Sequence, residues 1–480
     1  MNYGMVLRSL GILLLSEALV MIPSLLVASI LGEKEASAFI ITMILLIVCG
    51  FLATRIKPKA KNIYARDGFA IVAIGWLLVS FFAALPFVIS GAIPSFIDAF
   101  FEASSGLTTT GSSILKNIES LSKGILFWRS FTHWIGGMGV LIMTLAILPS
   151  AGAGSIQIMK AESTGPNPGK LVPKMAETAK ILYGIYIIIT IIEIILLKIS
   201  GMPLYDSLIH TFGSVGTGGF SNKALSVGAY DNVYAEVIIT IFTLACGVNF
   251  ALYYQALKGN IKGIFKDQEL KFYLGVVAAS IILITINIHG NIFESIGESL
   301  RYSSFQVVTI ITTTGFATTD FNLWPTFSKI ILVSIMFVGG CAGSTAGGIK
   351  GIRILLLFKI MRRELLKIVH PKAVYTVKVG GKVVEEESLM NITAFFFIYL
   401  FMFLTATFIV ALDGKDIVTS VTAVIATINN IGPGLEMVGP MGSFADFSNL
   451  SKVVLSFTMI IGRLEIYPIL LLILPTFWRK

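Results

Sequence analysis

Long apolar stretches recur along the whole chain, among them Leu7–Leu31, Ala38–Leu52, Ile181–Leu197 and Phe395–Leu412, and short polar segments separate them. A helix needs about 20 apolar residues to cross a hydrocarbon core of about 30 Å, so each stretch predicts a transmembrane helix. Leu7–Leu31 holds Arg8, Glu17 and Pro23, lacks a small-residue cleavage site and is too long for a signal-peptide core. It is expected to stay in the membrane. Arg55, Lys57, Lys59, Lys61 and Arg66 then form a dense basic segment, and further basic clusters fall at Lys160–Lys180, Lys258–Lys271 and Lys350–Lys382. Two apolar segments separate each cluster from the next. All the basic loops therefore belong to one face, and the positive-inside rule makes that face, with both termini, cytoplasmic.

The same regularity discloses an internal repeat. Between basic loops the order is apolar helix, short semi-polar segment, Gly-rich knot, apolar helix. The knots are Thr108-Thr109-Thr110-Gly111-Ser112, Gly216-Thr217-Gly218-Gly219-Phe220, Thr312-Thr313-Thr314-Gly315-Phe316 and Asn429-Asn430-Ile431-Gly432-Pro433. Their anchor glycines Gly111, Gly219, Gly315 and Gly432 are 108, 96 and 117 residues apart. Asp98 and Asp206 each stand 13 residues ahead of their glycine, Phe101 and Phe305 each 10 ahead. The expected organisation is two N-terminal transmembrane helices over 1–66, then repeats over 67–150, 151–260, 261–370 and 371–480. That gives an all-α polytopic membrane protein of ten transmembrane helices and four short pore helices.

Composition agrees. Hydrophobic residues make up 55% and charged residues 13% of the 480, about half the charge of a soluble domain. That balance excludes a soluble enzyme, a nucleic-acid binder or a secreted module, and it assigns the net charge of +9 to topology. Cys49, Cys246 and Cys341 lie far apart in or near apolar segments, which reads as packing. His133, His210, His289 and His370 are isolated and form no metal-binding spacing. No paired carboxylates or activated nucleophile mark the spans, so no catalytic residue is expected.

The segments before the knots, roughly Ser95–Leu107, Leu204–Val215, Ser299–Ile311 and Ile417–Ile428, would form helices of about 18–20 Å, too short to span. They read as re-entrant pore helices. Irregular backbone at membrane depth cannot face lipid and is tolerated where it lines a watery path. Glycine permits dihedrals that turn carbonyls inward, and threonines add hydroxyls, so four knots around one axis would form rings of oxygen ligands. No carboxylate lies in any knot, which favours a monovalent cation. Pore helices ending there would aim their partly negative C-termini at it. A single knot could be a mere small-residue contact, whereas four at regular spacing point to a filter.

GLTTTGSS at Gly106–Ser113, FGSVGTGGFSN at Phe212–Asn222, ITTTGFATTDF at Ile311–Phe321 and ATINNIGPG at Ala426–Gly434 resemble the pore loops of the Trk/Ktr/HKT superfamily of potassium transporters. The resemblance covers nearly the whole chain, and the extra N-terminal helices point to its TrkH/TrkG branch. It implies potassium uptake across the cytoplasmic membrane, with K+ as the transported ion and no covalently bound cofactor. The implied filter is Thr109, Thr110, Gly111; Thr217, Gly218, Gly219; Thr313, Thr314, Gly315; and Asn430, Ile431, Gly432. It further implies a homodimer and a cytosolic, nucleotide-binding TrkA-like regulatory ring. Glycine at all four anchor positions fits potassium-selective rather than serine-bearing sodium-preferring relatives, and a sodium-preferring or sodium-coupled porter is the alternative. The fourth loop departs from Thr-Gly, and its Asn-rich form resembles the same branch.

Two further features stand out. The apolar run from Pro325 to Val338 is interrupted by Gly339-Gly340-Cys341-Ala342-Gly343-Ser344-Thr345-Ala346-Gly347-Gly348, which cannot stay a straight helix at low cost. A phosphate-binding loop beginning at Gly343 would need Lys at 349 and Ser or Thr at 350, where the chain has Ile349 and Lys350, so an ATPase reading fails. Close helix packing is one account of the run. The resemblance supports another, an intramembrane loop that gates the pore through Gly339, Gly340, Gly343, Gly347 and Gly348. Arg463 is the second feature: in the apolar stretch Val453–Phe477 it falls near the bilayer centre, where a charge is costly unless it faces water or a partner. It is either a structural arginine bonding carbonyls or, as the resemblance implies, part of the path beneath the filter. Glu465 projects from a different side of that helix and cannot simply neutralise it.

Overall fold

The computed structural model describes residues 1–58, 64–139 and 175–479. The expected boundary between the first two repeats at 150/151, most of the basic segment Lys160–Lys180, and Lys59 and Lys61 lie outside the described residues. The described residues are mainly helical, with one short antiparallel hairpin of Lys378–Val379 and Lys382–Val383. Among the described residues, six helices are long and apolar enough to cross a bilayer: Tyr3–Ile30 in two pieces (α1 Tyr3–Val20, α2 Ile22–Ile30), α3 (Ala36–Thr54), α4 (Ala65–Ile89), Glu177–Ile199 within a longer helix, Gln268–Ile288 and Glu386–Ala411. Val233–Cys246 and Phe250–Leu257, bent by 92° between them, add a seventh if taken as one span.

The bilayer explains a surface that water could not tolerate. Along α3, Ile40, Ile44, Ile47, Val48, Phe51 and Leu52 point outward while Phe39 and Leu46 are fully buried. An apolar stripe of this kind is lipid-facing. On its other side α3 meets α1 where Gly11 and Gly50 are opposed: a Cβ on Gly11 would stand 2.7 Å from the Gly50 carbonyl oxygen, and one on Gly50 2.9 Å from that of Gly11. Small residues let helices approach closely in membranes, where apolar burial alone gives little drive.

Four short helices follow in the expected places: α5 (Phe96–Leu107), α8 (Leu204–Val215), α13 (Ile296–Ile311) and α17 (Ile417–Ile428). Between them run α6 (Lys123–Gly137), α7 (Met175–Ile199), α9 (Val233–Cys246), α10 (Phe250–Leu257), α11 (Ile261–Ile264), α12 (Gln268–Ile288), α14 (Thr326–Val338), α15 (Gly351–Val369) and α16 (Glu386–Ala411). The chain ends with α18 (Asn449–Arg463), α19 (Tyr467–Ile473) and α20 (Pro475–Trp478). Polar residues start the short helices. Ser95 caps α5 and Asp416 caps α17, its carboxylate accepting from Thr419 N–H at 2.8 Å, while Asp98, Asp206 and Glu298 stand in the first turns of α5, α8 and α13. Negative charge at a helix N-terminus complements its dipole. The partly negative C-termini then all converge on the knots.

The stretch Val453–Phe477, expected as one continuous segment, is instead broken just past Arg463. Glu465 and Ile466 take φ of 55° and 72°, and the helix resumes at Tyr467. A β-branched residue in that region is a genuine outlier, so tertiary contacts impose the break. Asn2 N–H donates to Asp67 at 2.9 Å and the Arg66 guanidinium to the Arg479 carbonyl, so both ends of the chain lie beside the first basic segment.

Candidate functional site: a ring of four loops

Each short helix ends in the same way. Thr109 and Thr110 N–H donate back to Gly106 and Ser105 O (3.1 and 2.8 Å), Thr217 and Gly218 to Ser214 and Gly213 (3.1 and 2.7 Å), Thr313 and Thr314 to Ile310 and Thr309 (3.0 and 2.8 Å), and Asn430 and Ile431 to Thr427 and Ala426 (3.2 and 2.8 Å). This is a Schellman closure, whose turning residue is left-handed and usually glycine. Here it is Thr109, Thr217, Thr313 and Asn430, at φ of 55°, 53°, 57° and 56°. A threonine in that conformation costs roughly 1–2 kcal/mol. Three of the four equivalent turns carry that strain, whereas Asn430 adopts the conformation readily, and backbone strain of this kind clusters at functional sites.

Two residues on, Gly111, Gly219, Gly315 and Gly432 have φ of 83°, 79°, 79° and 101°. Their surroundings close the ring. A Cβ on Gly111 would lie 2.1 Å from Gly218 O, on Gly219 1.9 Å from Thr314 O, on Gly315 2.0 Å from Ile431 O, and on Gly432 2.8 Å from Thr110 O. Loop one thus meets loop two, two meets three, three meets four, and four returns to one. The facing carbonyls all belong to the residue just before an anchor glycine. Side chains add to the closure: Ser112 Oγ donates to Gly432 O at 2.9 Å and Asn430 Nδ2 to Thr110 Oγ1 at 2.9 Å. The four anchor glycines and the residue just before each therefore fall in one ring, with Thr109, Thr217, Thr313 and Asn430 at the turns that lead into it. Beyond it a cavity of about 460 Å³ is lined by all four glycines together with Ser112, Arg129, Lys116 and Asp446.

On the opposite side of the ring lies the glycine-rich segment, non-helical between α14 and α15. Gly347 N–H donates to Thr313 Oγ1 at 2.6 Å and Gly348 N–H to Asn429 O at 3.0 Å, which places the segment against the third and fourth loops. The α9–α10 bend cradles its first half: Cys341 N–H donates to Gly247 O at 2.9 Å and Phe250 N–H to Gly343 O at 3.0 Å. Arg463 is buried, and its guanidinium donates to Thr345 O in the segment at 2.8 Å and to Gly137 O at 2.7 Å, with Gly136 O also in its fork. Arg463 thus ties the end of α6 to the glycine-rich segment beneath the ring. Glu465 instead pairs with the buried Arg353 on α15, whose guanidinium also stacks on Phe395 at 4.2 Å.

Sequence reading passed over one buried pair that braces the ring. Glu102 on α5 accepts from Arg129 Nε at 2.6 Å, from Ser113 Oγ at 2.9 Å and from Ile114 N–H at 2.9 Å, while Arg129 Nη1 donates to Ser221 O at 3.0 Å and its guanidinium packs on Phe220 at 3.5 Å. The pair joins the exits of loops one and two. Its signal was the presence of ionisable residues inside apolar segments, which are costly unless partnered. His133 was missed likewise: Nδ1 lies 2.7 Å from Gly106 O and the ring packs on Phe220 and against Gly218. It wedges the second loop without any metal partner among the described residues.

Lipid-facing spans, re-entrant helices and a central ring of backbone loops define a helical membrane transporter. The model of the TrkH family, a cation transport protein, matches residues 34–480, and the chain belongs to that family. It is 38% identical to the Trk system potassium uptake protein TrkH of Salmonella typhimurium over 485 residues, with both chains wholly covered. It is 36% identical to the Trk system potassium uptake protein TrkG of Escherichia coli K12, across 98% of this chain and 97% of that one. The crystal structure of the potassium transporter TrkH from Vibrio parahaemolyticus is similar throughout, with a TM-score of 0.89, 35% identity and full coverage of both chains.

Proposed function

We propose that the chain takes up potassium across the cytoplasmic membrane through the ring formed by Thr109–Gly111, Thr217–Gly219, Thr313–Gly315 and Asn430–Gly432. The observation that carries this reading is the closed cycle of glycine–carbonyl approaches, each loop against the next. In such a ring, backbone oxygens replace the hydration shell of a monovalent ion, and no carboxylate is present to favour a divalent one. Four helix C-termini supply the accompanying negative potential. The basic loops and both termini are cytoplasmic in this reading, and the cavity beyond the glycines is the outer mouth. The four repeats, with boundaries at 67, 151, 261 and 371, each contribute one loop. The glycine-rich segment and Arg463 block the passage on its cytoplasmic side when the protein is at rest. Uptake of potassium, rubidium and sodium in cells lacking their own potassium uptake should show potassium and rubidium far ahead of sodium. Sodium entering as fast or faster would make the chain a sodium-preferring porter of the same fold.

The relatives' names speak of a Trk system, which supports a partnered assembly. We infer a homodimer with a cytosolic nucleotide-binding ring of TrkA type docked to the cytoplasmic half of α15 and the loop beyond it. Exposed Arg362 is the residue to test there. Arg363 is bound to Glu386 at 2.6 Å and Glu364 at 2.8 Å, so reversing it would also disturb this chain's own packing. Arg362→Glu should weaken co-purification with a co-expressed TrkA-like ring most at low salt, where charge contacts are least screened. Equal recovery at every salt concentration rules out this docking surface.

A further inference from the structure

Glu269, the second residue of α12, is buried, and nothing in the ring uses it. Its Oε1 accepts two backbone N–H bonds from opposite ends of the glycine-rich break, from Ala342 at 2.7 Å and from Ile352 at 3.0 Å. Ile352 is the second residue of α15, whose first N–H groups need an acceptor from outside the helix. The preceding residue cannot serve: Lys350, at φ 81°, makes no side-chain cap, and its Nζ turns back to Ala346 O. One carboxylate oxygen on a neighbouring span therefore caps α15 and holds the segment leading into it at the same time. Gly351 N–H, between those two contacts, donates to Gly340 O at 2.9 Å, so the carboxylate closes a compact turn rather than two independent strands.

We propose that Glu269 is a latch, a positioning residue that keeps the glycine-rich segment in its blocking place from the cytoplasmic end, opposite to the hold exerted by Arg463. The inference rests on the reading that this segment gates the pore. Moving the segment would separate Ala342 from Ile352, and the shared oxygen could follow only one of them. Loss of the negative charge weakens both bonds at once, since hydrogen bonds to a charged acceptor are about twice as strong as neutral ones.

Cys341 gives a readout independent of transport. It sits in the segment, 1% exposed, whereas Cys49 is exposed on α3 and Cys246 is buried at the end of α9. The full chain in liposomes is treated with N-ethylmaleimide, and modification of each cysteine is followed by peptide mass spectrometry. Glu269→Gln, which keeps a neutral acceptor, should raise the Cys341 rate about tenfold, and Glu269→Ala more, with Cys49 unchanged. Ile352→Pro approaches the latch from the other side: it removes one donor at a first-turn position that tolerates proline and leaves Glu269 intact. It should also speed Cys341 labelling, and it decides the matter if the Glu269 variants do not fold. An unchanged Cys341 rate in the folded variants overturns the latch, whatever the flux does. Faster labelling with unchanged rubidium flux keeps the latch and overturns the gating role of the segment.

Discussion

Serine in place of Gly111, Gly219 or Gly315 should cut rubidium flux by about a hundredfold or more, while Gly432→Ser should keep measurable flux and lose potassium preference over sodium. The difference follows from the room at each site. At the first three, the new Cβ would stand 2.1, 1.9 and 2.0 Å from the carbonyl oxygen of the next loop, and backbone cannot swing aside as a long side chain can. The nearest atom at Gly432 is Thr110 O at 2.8 Å, which a shift of a few tenths of an ångström relieves in part. All four glycines also have φ between 79° and 101°, so every substitution carries conformational strain in addition. A distortion of about 3 kcal/mol in the conducting geometry already gives a factor of order one hundred. At Gly432 the smaller displacement widens one quarter of the oxygen ring, and the ring then discriminates less between ions of different radius. The measurement is rubidium and sodium flux into liposomes, per folded protein. Unchanged selectivity and flux in all four variants would remove the filter assignment.

What the sequence makes legible is what repeats. The spacing of Gly111, Gly219, Gly315 and Gly432 is a local signal reiterated four times, with threonines before the first three glycines and acids 13 residues ahead of the first two, and the ring unites the four glycines with the residues just before them. The left-handed turn at Thr109, Thr217 and Thr313 was not legible, because threonine is the wrong residue for it by propensity and only the ring imposes it. Long-range pairings were invisible for a different reason. Glu102 finds Arg129 across 27 residues and Glu465 finds Arg353 across 112, with no periodicity to announce either contact. The break after Arg463 was hidden by the apolar stretches on both sides of it. Its local signs were Gly462 just before it and Pro468, which serves as an early residue of the next helix. The two rival readings of Arg463 prove compatible in geometry, since an arginine that bonds carbonyls is the same arginine that holds the glycine-rich segment under the ring.

That double attachment makes Arg463 the residue whose loss should raise transport most. At an effective dielectric of about 20, a fixed positive charge about 5 Å from a potassium ion repels it by roughly 3 kcal/mol, a rate factor of order one hundred. Arg463→Ala removes that charge and releases Thr345 O, so both the electrostatic and the steric part of the block should weaken. Stability should move the other way. The Thr345 and Gly137 carbonyls lose the Arg463 donor, while Gly136 O keeps the Gly139 N–H at 3.0 Å, and each buried group left unpaired costs about 1–3 kcal/mol. The expected result is therefore higher rubidium flux per folded molecule together with a lower unfolding temperature. Arg463→Lys separates the two parts of the block, because the ammonium keeps the charge but lacks the planar fork that reaches carbonyls on both α6 and the glycine-rich segment. Flux near wild type in Arg463→Lys assigns the barrier to charge, and flux near Arg463→Ala assigns it to the tether. Deleting residues 341–346 should raise flux even with Arg463 in place if the segment itself plugs the passage. Flux at or below wild type in both Arg463→Ala and the deletion, normalised to folded protein by size exclusion, rejects the barrier while leaving the ring of four loops untouched.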